Sequence, residues 1–128
     1  MLHERHYTLE QARASMDWVA ERVHRIRAAR GELAGLTPDA RRALVELDGR
    51  TGGAYPGRAI ARPIVALSHA VAELQAVEIV VRDADRGLVD FPALRDGVEV
   101  YLCWLVDDER EIGFWHEPGA GFAGRRAL

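Results

Sequence analysis

Lysine and asparagine are absent from this 128-residue chain, and cysteine occurs once, as Cys103. All 17 basic residues are therefore arginine, which we attribute to a GC-rich bacterial coding bias. A single cysteine excludes an internal disulfide and is typical of a reducing compartment. No apolar run approaches the ~18 residues that a membrane span needs, and the polar opening MLHERHY lacks the apolar stretch of a signal peptide. We therefore expect a cytoplasmic protein that does not enter a membrane.

The overall composition is that of a folded globular protein. The chain is 48% hydrophobic and 29% charged, which excludes a disordered protein. Its length fits one domain over 1–128, with a helical part over 1–76, a sheet over 77–116 and a Gly/Arg-rich tail over 117–128. The net charge of −3 supplies no bulk field for nucleic acid, so we expect no nucleic-acid partner.

A long amphipathic helix is predicted near the start of the chain. Thr8 and Gln11 have the spacing of a capping box, which indicates a helix beginning at Leu9. Apolar residues then recur at spacings of three, four and seven, which predicts one continuous helix over 9–33. Gly35 is placed to end it.

Further helices are predicted after this point. A short helix is expected over 38–48 and a glycine-rich loop over 49–57. A second long helix follows over 60–74, with Pro63 in about its first turn. Because the two long helices carry matching apolar seams, we expect them to form an antiparallel hairpin.

From residue 77 the apolar period changes to two, which predicts strands. The expected strands cover 77–82, 88–91, 98–106 and 111–116, and Pro92 is expected to close the second. Helices followed by strands favour an α+β fold. The prediction is a long helical hairpin with a short intervening helix, packed on a four-stranded antiparallel β-meander.

The last two predicted strands also determine which residues face each other. If residues 107–110 close this hairpin, Tyr101 faces His116 and Cys103 faces Phe114 on one side of the sheet. The strand 98–106 is apolar on both faces, and both faces then need cover. We expect a second copy of the chain to cover the face that the helices leave. Trp18 lies off the helix seam, where it could pack on the sheet, stack with Arg22 or lie in the subunit interface. The sequence therefore predicts a homodimer.

Tyr101, Cys103 and His116 form a small polar cluster in this arrangement. Cys103 and His116 could act as nucleophile and base, or as two ligands of a metal. Alternatively, Cys103 packs as a small hydrophobe and His116 bonds to Tyr101 or to backbone. Because the pair lacks a third group, we favour packing and predict no metal and no cofactor. His3 and His6 precede the first helix and are expected to fray.

The tail contains a literal Gly119-x-Gly121-x-x-Gly124, but only four residues follow it. A dinucleotide fingerprint needs a helix at these glycines and an acidic residue ~20 positions further on. We therefore expect a glycine-rich strap that crosses the sheet. Alternatively, the successive backbone amides of this strap beside Arg125 could form an anion-binding nest. The predicted ligand site consists of Tyr101, Cys103, His116 and Arg125, and its predicted occupant is a small anion.

Several motifs resemble those of one prokaryotic family. GLVDFPAL over 87–94, VYLCW over 100–104, IGFWH over 112–116 and AGFAGR over 120–125 occur in the order seen in domain of unknown function 2203, and YTLEQA over 7–12 is similar to its opening. The loop over 49–57 is richer in glycine than the family pattern. The resemblance implies no activity. The expected function is a homodimeric binding or interaction protein of unknown ligand, and the alternative is a small-molecule enzyme or a metal sensor using Cys103 and His116.

Overall fold

A capping box begins the first helix, as predicted. In the computed structural model, which describes residues 1–36, 57–106 and 111–128, the Thr8 hydroxyl accepts the Gln11 N–H and the Gln11 side chain accepts the Thr8 N–H. Helix α1 covers Leu9–Ala14 and helix α2 covers Met16–Ala34. Gly35 ends α2, which confirms the predicted stop.

The prediction of one continuous helix over 9–33 is wrong at Ser15. The Ser15 hydroxyl donates to the Gln11 carbonyl at 2.9 Å, and the Ser15 N–H reaches the carbonyls of both Gln11 and Ala12 at 3.1 Å. A serine that bonds back to the preceding turn competes with the helical ladder and interrupts it. The ladder resumes with the Val19 N–H, which donates to the Ser15 carbonyl at 2.9 Å.

Helix α3 covers Gly57–Ala76 and packs on α2. Arg22, in the first half of α2, donates to Glu73 near the end of α3 at 2.5 Å, as in an antiparallel pair. Pro63 lies in the second turn of α3 rather than the first. The predicted short helix over 38–48, all but the last residue of the loop over 49–57, and the reversal at 107–110 lie outside the described residues.

The sheet is antiparallel and has five strands where four were predicted. Its strands lie in the order of the chain: β1 Val80–Asp83, β2 Leu88–Arg95, β3 Val98–Leu105, β4 Phe114–His116 and β5 Arg126–Ala127. The fifth strand comes from the tail. It follows a single turn of 3-10 helix over Phe122–Gly124. It pairs with the open edge of β4, so the tail joins the sheet instead of crossing it.

Two strand boundaries differ from the predictions at the start of the sheet. β1 begins at Val80 rather than at 77, because the N–H groups of Val77 and Ile79 still bond to the Leu74 carbonyl at the end of α3. β2 continues through Pro92. The Pro92 carbonyl accepts the Tyr7 N–H at 2.7 Å, so the backbone of Pro92 faces away from β3. The proline therefore removes no hydrogen bond between β2 and β3.

The two faces of the sheet differ in chemistry. The face toward the helices is apolar and belongs to the main core: Val89, Phe91, Ala93, Val100, Leu102, Trp104 and Trp115. The opposite face carries Asp90, Tyr101, Cys103 and His116, all of which are buried within the single chain. The expectation that a second copy must cover this face is therefore wrong for these residues, because the chain covers them itself.

Candidate functional site

Three strands bring Asp90, Cys103 and His116 together. The predicted register between β3 and β4 is confirmed, with Tyr101 opposite His116 and Cys103 opposite Phe114. On the other side of β3, Asp90 of β2 lies opposite Cys103. One donor atom from each of Asp90, Cys103 and His116 lies within 4.8 Å of the other two. The site thus contains the third group whose absence had favoured simple packing.

The cluster is removed from solvent. Asp90 and Cys103 are each 1% exposed, and His116 is 2% exposed. A carboxylate at such depth requires hydrogen bonds, because burying an unpaired charge is costly. Asp90 Oδ2 accepts from Arg82 Nε at 2.8 Å and lies 2.9 Å from His116 Nε2. Asp90 Oδ1 is buried and has no hydrogen-bond partner among the described residues.

Both ring nitrogens of His116 are engaged. Nδ1 lies 2.8 Å from the backbone oxygen of Glu117, and because a carbonyl oxygen only accepts, Nδ1 carries the hydrogen. Nε2 points at Asp90. In a nucleophile–base pair, one histidine nitrogen must be available to the nucleophile. The contacts of both His116 nitrogens are therefore with Asp90 and the Glu117 carbonyl, so a role as base would require one of these contacts to be given up.

Tyr101 lies between His116 and Arg82 on the same sheet face. Its ring centroid is 5.4 Å from that of His116, with 33° between the planes, and the Arg82 guanidinium lies 4.8 Å from it on the ring face. The prediction that Tyr101, Cys103 and His116 lie on one face is therefore met by the structure. Of the two partners expected for His116, Tyr101 or backbone, the structure shows the backbone carbonyl of Glu117, and it adds Asp90.

Arg125 reaches this face through aromatic contacts. Its guanidinium lies 3.9 Å from the centroid of Phe114, the residue opposite Cys103, and 4.8 Å from that of Phe122. The tail therefore brings Arg125 beside the cluster. That Arg125 binds an anion together with His116 stays a prediction.

The N-terminal segment is held in place, so the expectation that His3 and His6 fray is wrong. His3 Nε2 lies 2.7 Å from the Tyr101 hydroxyl, and His6 Nε2 lies 2.8 Å from Glu99 Oε2. Glu99 also accepts the backbone N–H groups of Leu2 and His3 at 2.8 and 3.1 Å. These hydrogen bonds, of which the one from His6 has the largest effect, lower the pKa of Glu99 to about 2. Sequence spacing alone could not indicate this, because the partners are more than 90 positions apart.

Asp90 and Arg82 are the site residues that sequence reasoning missed. One signal for Asp90 was present. Asp96 and Gly97 both have positive φ, 52° and 78°, as a two-residue hairpin turn requires. Such a turn pairs Arg95 with Val98, and counting back along both strands places Asp90 opposite Cys103. Arg82 carried no comparable signal, because it lies at an irregularity in the pairing of β1 with β2.

A family model described as an uncharacterized conserved protein, DUF2203, matches residues 5–128. The resemblance indicated by the sequence motifs is therefore confirmed over nearly the whole chain. No curated protein and no solved structure matches it. Within the described residues, no helix is both long and apolar enough to cross a membrane.

Proposed function

The chain belongs to this family, whose description assigns no activity, and from the site we propose that the protein binds a divalent transition-metal ion through Asp90, Cys103 and His116. One observation carries the proposal: within the part of the chain that the structure describes, Asp90 Oδ1 is a buried carboxylate oxygen without a hydrogen-bond partner, in a cluster that also offers a thiol and an imidazole. Buried polar atoms are nearly always satisfied, so an unsatisfied one requires an explanation, and a bound ion is one such explanation.

The donor types favour Zn²⁺. Zinc accepts cysteine sulfur, histidine nitrogen and carboxylate oxygen, whereas Mg²⁺ and Ca²⁺ prefer oxygen alone. A ligating histidine usually donates its second ring N–H to a carbonyl or carboxylate, which fixes the ring. The bond from His116 Nδ1 to the Glu117 carbonyl has this form and leaves Nε2 toward the cluster.

A binding role fits the site better than a catalytic one. All three side chains are at most 2% exposed, so a substrate has no direct access to them. The alternative enzyme would need His116 to release Asp90 or Glu117 before it could serve Cys103 as a base. A metal site, in contrast, needs only His116 Nε2 to turn from Asp90 Oδ2 to the ion, while Nδ1 keeps its bond to the Glu117 carbonyl.

The test is metal binding by the full chain, measured by calorimetry with Zn²⁺ and by absorption with Co²⁺. Bound Co²⁺ should show a sulfur-to-cobalt charge-transfer band that Cys103→Ala removes. Asp90→Asn and His116→Gln should weaken the binding of both ions. His69 is an exposed histidine on α3, so His69→Gln should bind both ions like the wild type. Circular dichroism confirms that each variant is folded. Absence of binding by the wild type, or binding that survives all three site substitutions, would overturn the proposal.

We also propose a cytoplasmic homodimer. Support comes from apolar side chains that the single chain leaves exposed: Ile64 and Val65 on α3, and Trp18 on α2. Trp18 keeps one face under the Arg22 guanidinium, 3.7 Å from the ring centroid. Exposed apolar residues of this kind are suited to a subunit contact.

The small anion remains a separate proposal for Tyr101, Cys103, His116 and Arg125. Arg125 supports it, because a guanidinium keeps its charge at any working pH. His116 supports it less, since Asp90 and the Glu117 carbonyl already occupy its two nitrogens. An anion at this site would therefore bind through Arg125 before it could use the imidazole.

A further inference from the structure

Arg82 contacts the proposed metal site through Asp90 Oδ2, the same oxygen that lies 2.9 Å from His116 Nε2. Its Nε donates to Asp90 Oδ2 at 2.8 Å, while Asp90 Oδ1 has no hydrogen-bond partner in residues 1–36, 57–106 and 111–128. We infer that Arg82 is the positioning residue of the metal site: by holding Oδ2, it turns Oδ1 toward the ion. This inference rests on the proposed function.

The backbone places Arg82 for this contact. In the pairing of β1 with β2, Val81 lies opposite Val89 and Asp83 opposite Leu88, so Arg82 is the extra residue of a bulge. A bulge re-aims the side chain that it carries and is common beside functional sites. β1 is also an edge strand, which leaves room for a long side chain to fold over the sheet face.

The Arg82 side chain is held on its second side as well. Its guanidinium lies 4.8 Å from the Tyr101 ring centroid, and the Tyr101 hydroxyl is 2.7 Å from His3 Nε2. The ring therefore supports the guanidinium while Nε bonds to Asp90. When His116 Nε2 turns from Asp90 to a metal ion, Arg82 remains as the partner of Oδ2. The buried carboxylate then keeps both oxygens satisfied, one by the ion and one by Arg82.

The experiment compares Zn²⁺ dissociation constants of the wild type, Arg82→Gln and Arg86→Gln by competition with a chromophoric chelator. Loss of an outer partner of a metal ligand costs about ten- to a hundredfold in affinity, so Arg82→Gln should bind Zn²⁺ that much more weakly. Arg86→Gln removes the same charge from another exposed arginine, which lies over the ring of Phe122, and should leave the affinity unchanged. Arg82→Lys, which can still donate to Oδ2, should restore part of the loss.

A spectroscopic measurement separates positioning from a general effect on stability. In Arg82→Gln the Asp90 carboxylate is free to bind Co²⁺ through both oxygens, which raises the coordination number of the ion. The visible absorption bands of Co²⁺ should therefore weaken. In the wild type, NMR should show the Arg82 Nε–H protected from solvent exchange both before and after Zn²⁺ is added. Loss of that protection on adding Zn²⁺ would contradict the inference even if Arg82→Gln failed to fold.

The outcomes distinguish this inference from the proposed function. If the wild type binds Zn²⁺, Cys103→Ala does not, and Arg82→Gln binds as well as the wild type or better, the metal site stands and the role of Arg82 is wrong. If the wild type and every variant fail to bind, the metal site itself is wrong and the role of Arg82 falls with it.

Discussion

Asp90 lies directly opposite Cys103 in the ladder between β2 and β3, although 12 residues separate them along the chain. The pair places a buried carboxylate beside a buried thiol on the sheet face away from the helices. Across β3, His116 completes the cluster from β4. Most of the testable consequences of the structure concern this cluster or the N-terminal segment beside it.

Removal of the Asp90 carboxylate should strongly destabilise the fold. Asp90→Ala leaves His116 and Arg82 without their shared acceptor, and breaking a buried pair on one side costs about 3–5 kcal/mol. Urea unfolding followed by circular dichroism measures the change. Asp85→Ala, which removes an exposed carboxylate paired with Arg30, is the matched control and should change stability far less. Equal losses for the two variants would contradict the importance of burial.

Cys103 should resist thiol reagents in the native protein at neutral pH. Its side chain is buried, and a reagent must reach the sulfur before it can react. The measurement is the rate of modification by a chromogenic disulfide, with the urea-unfolded chain as the reference for full reactivity. A native rate close to that of the unfolded chain would instead favour the enzyme alternative, in which Cys103 is an accessible nucleophile.

Acid should weaken the attachment of the N-terminal segment through Glu99. Its pKa is about 2 in the folded protein against an ordinary value of 4.5, so the unfolded chain binds the proton more readily. The contribution of Glu99 to stability is therefore complete above about pH 4.5 and is lost as the pH falls through about 2. Thermal melts between pH 5 and 2 should show a smaller loss for Glu99→Gln than for the wild type. Glu111→Gln, on an exposed side chain, should follow the wild-type curve.

Gly87 should not tolerate a side chain. Its φ is +72°, and an added Cβ would lie 2.8 Å from the Val106 side chain and 3.2 Å from that of Val23. Gly87→Ala should lower the free energy of unfolding by roughly 1–3 kcal/mol through backbone strain and overpacking. Gly113→Ala is the control, because no atom of the described residues lies within 4 Å of the position of its added Cβ. A Gly87→Ala variant as stable as the control would show that the turn before β2 can relax.

The homodimer is tested by light scattering at micromolar concentration. A dimer should scatter as twice the 14.2 kDa of one chain. Val65→Glu on the exposed side of α3 should shift the protein to monomer if this helix forms the contact, whereas Ser68→Glu on the same helix is a charge control. A wild-type mass near 14.2 kDa would rule out the homodimer at that concentration.

Local patterns in the sequence were enough for much of the fold. The capping box at Thr8 starts the first helix, and Gly35 ends the second, because both act through neighbours within a few residues. The reversal predicted at residues 107–110 led to the pairing of Tyr101 with His116, since the turn of a hairpin fixes the register of its two strands. The extra fifth strand was not predictable in this way, because two residues of tail carry no period.

What the sequence by itself determined about this protein is its α+β order, its family, and the placing of Cys103 and His116 on one face of a sheet. Only the tertiary structure decided that Asp90 completes their cluster, that Arg82 holds its carboxylate, and that His3 and His6 are anchored. The physical reason is the range of the interactions. Helix caps, turns and register depend on neighbours along the chain or across one hairpin. The bonds at Asp90, Tyr101 and Glu99 join separate strands and the N-terminal segment, and such contacts exist only once the whole sheet has formed.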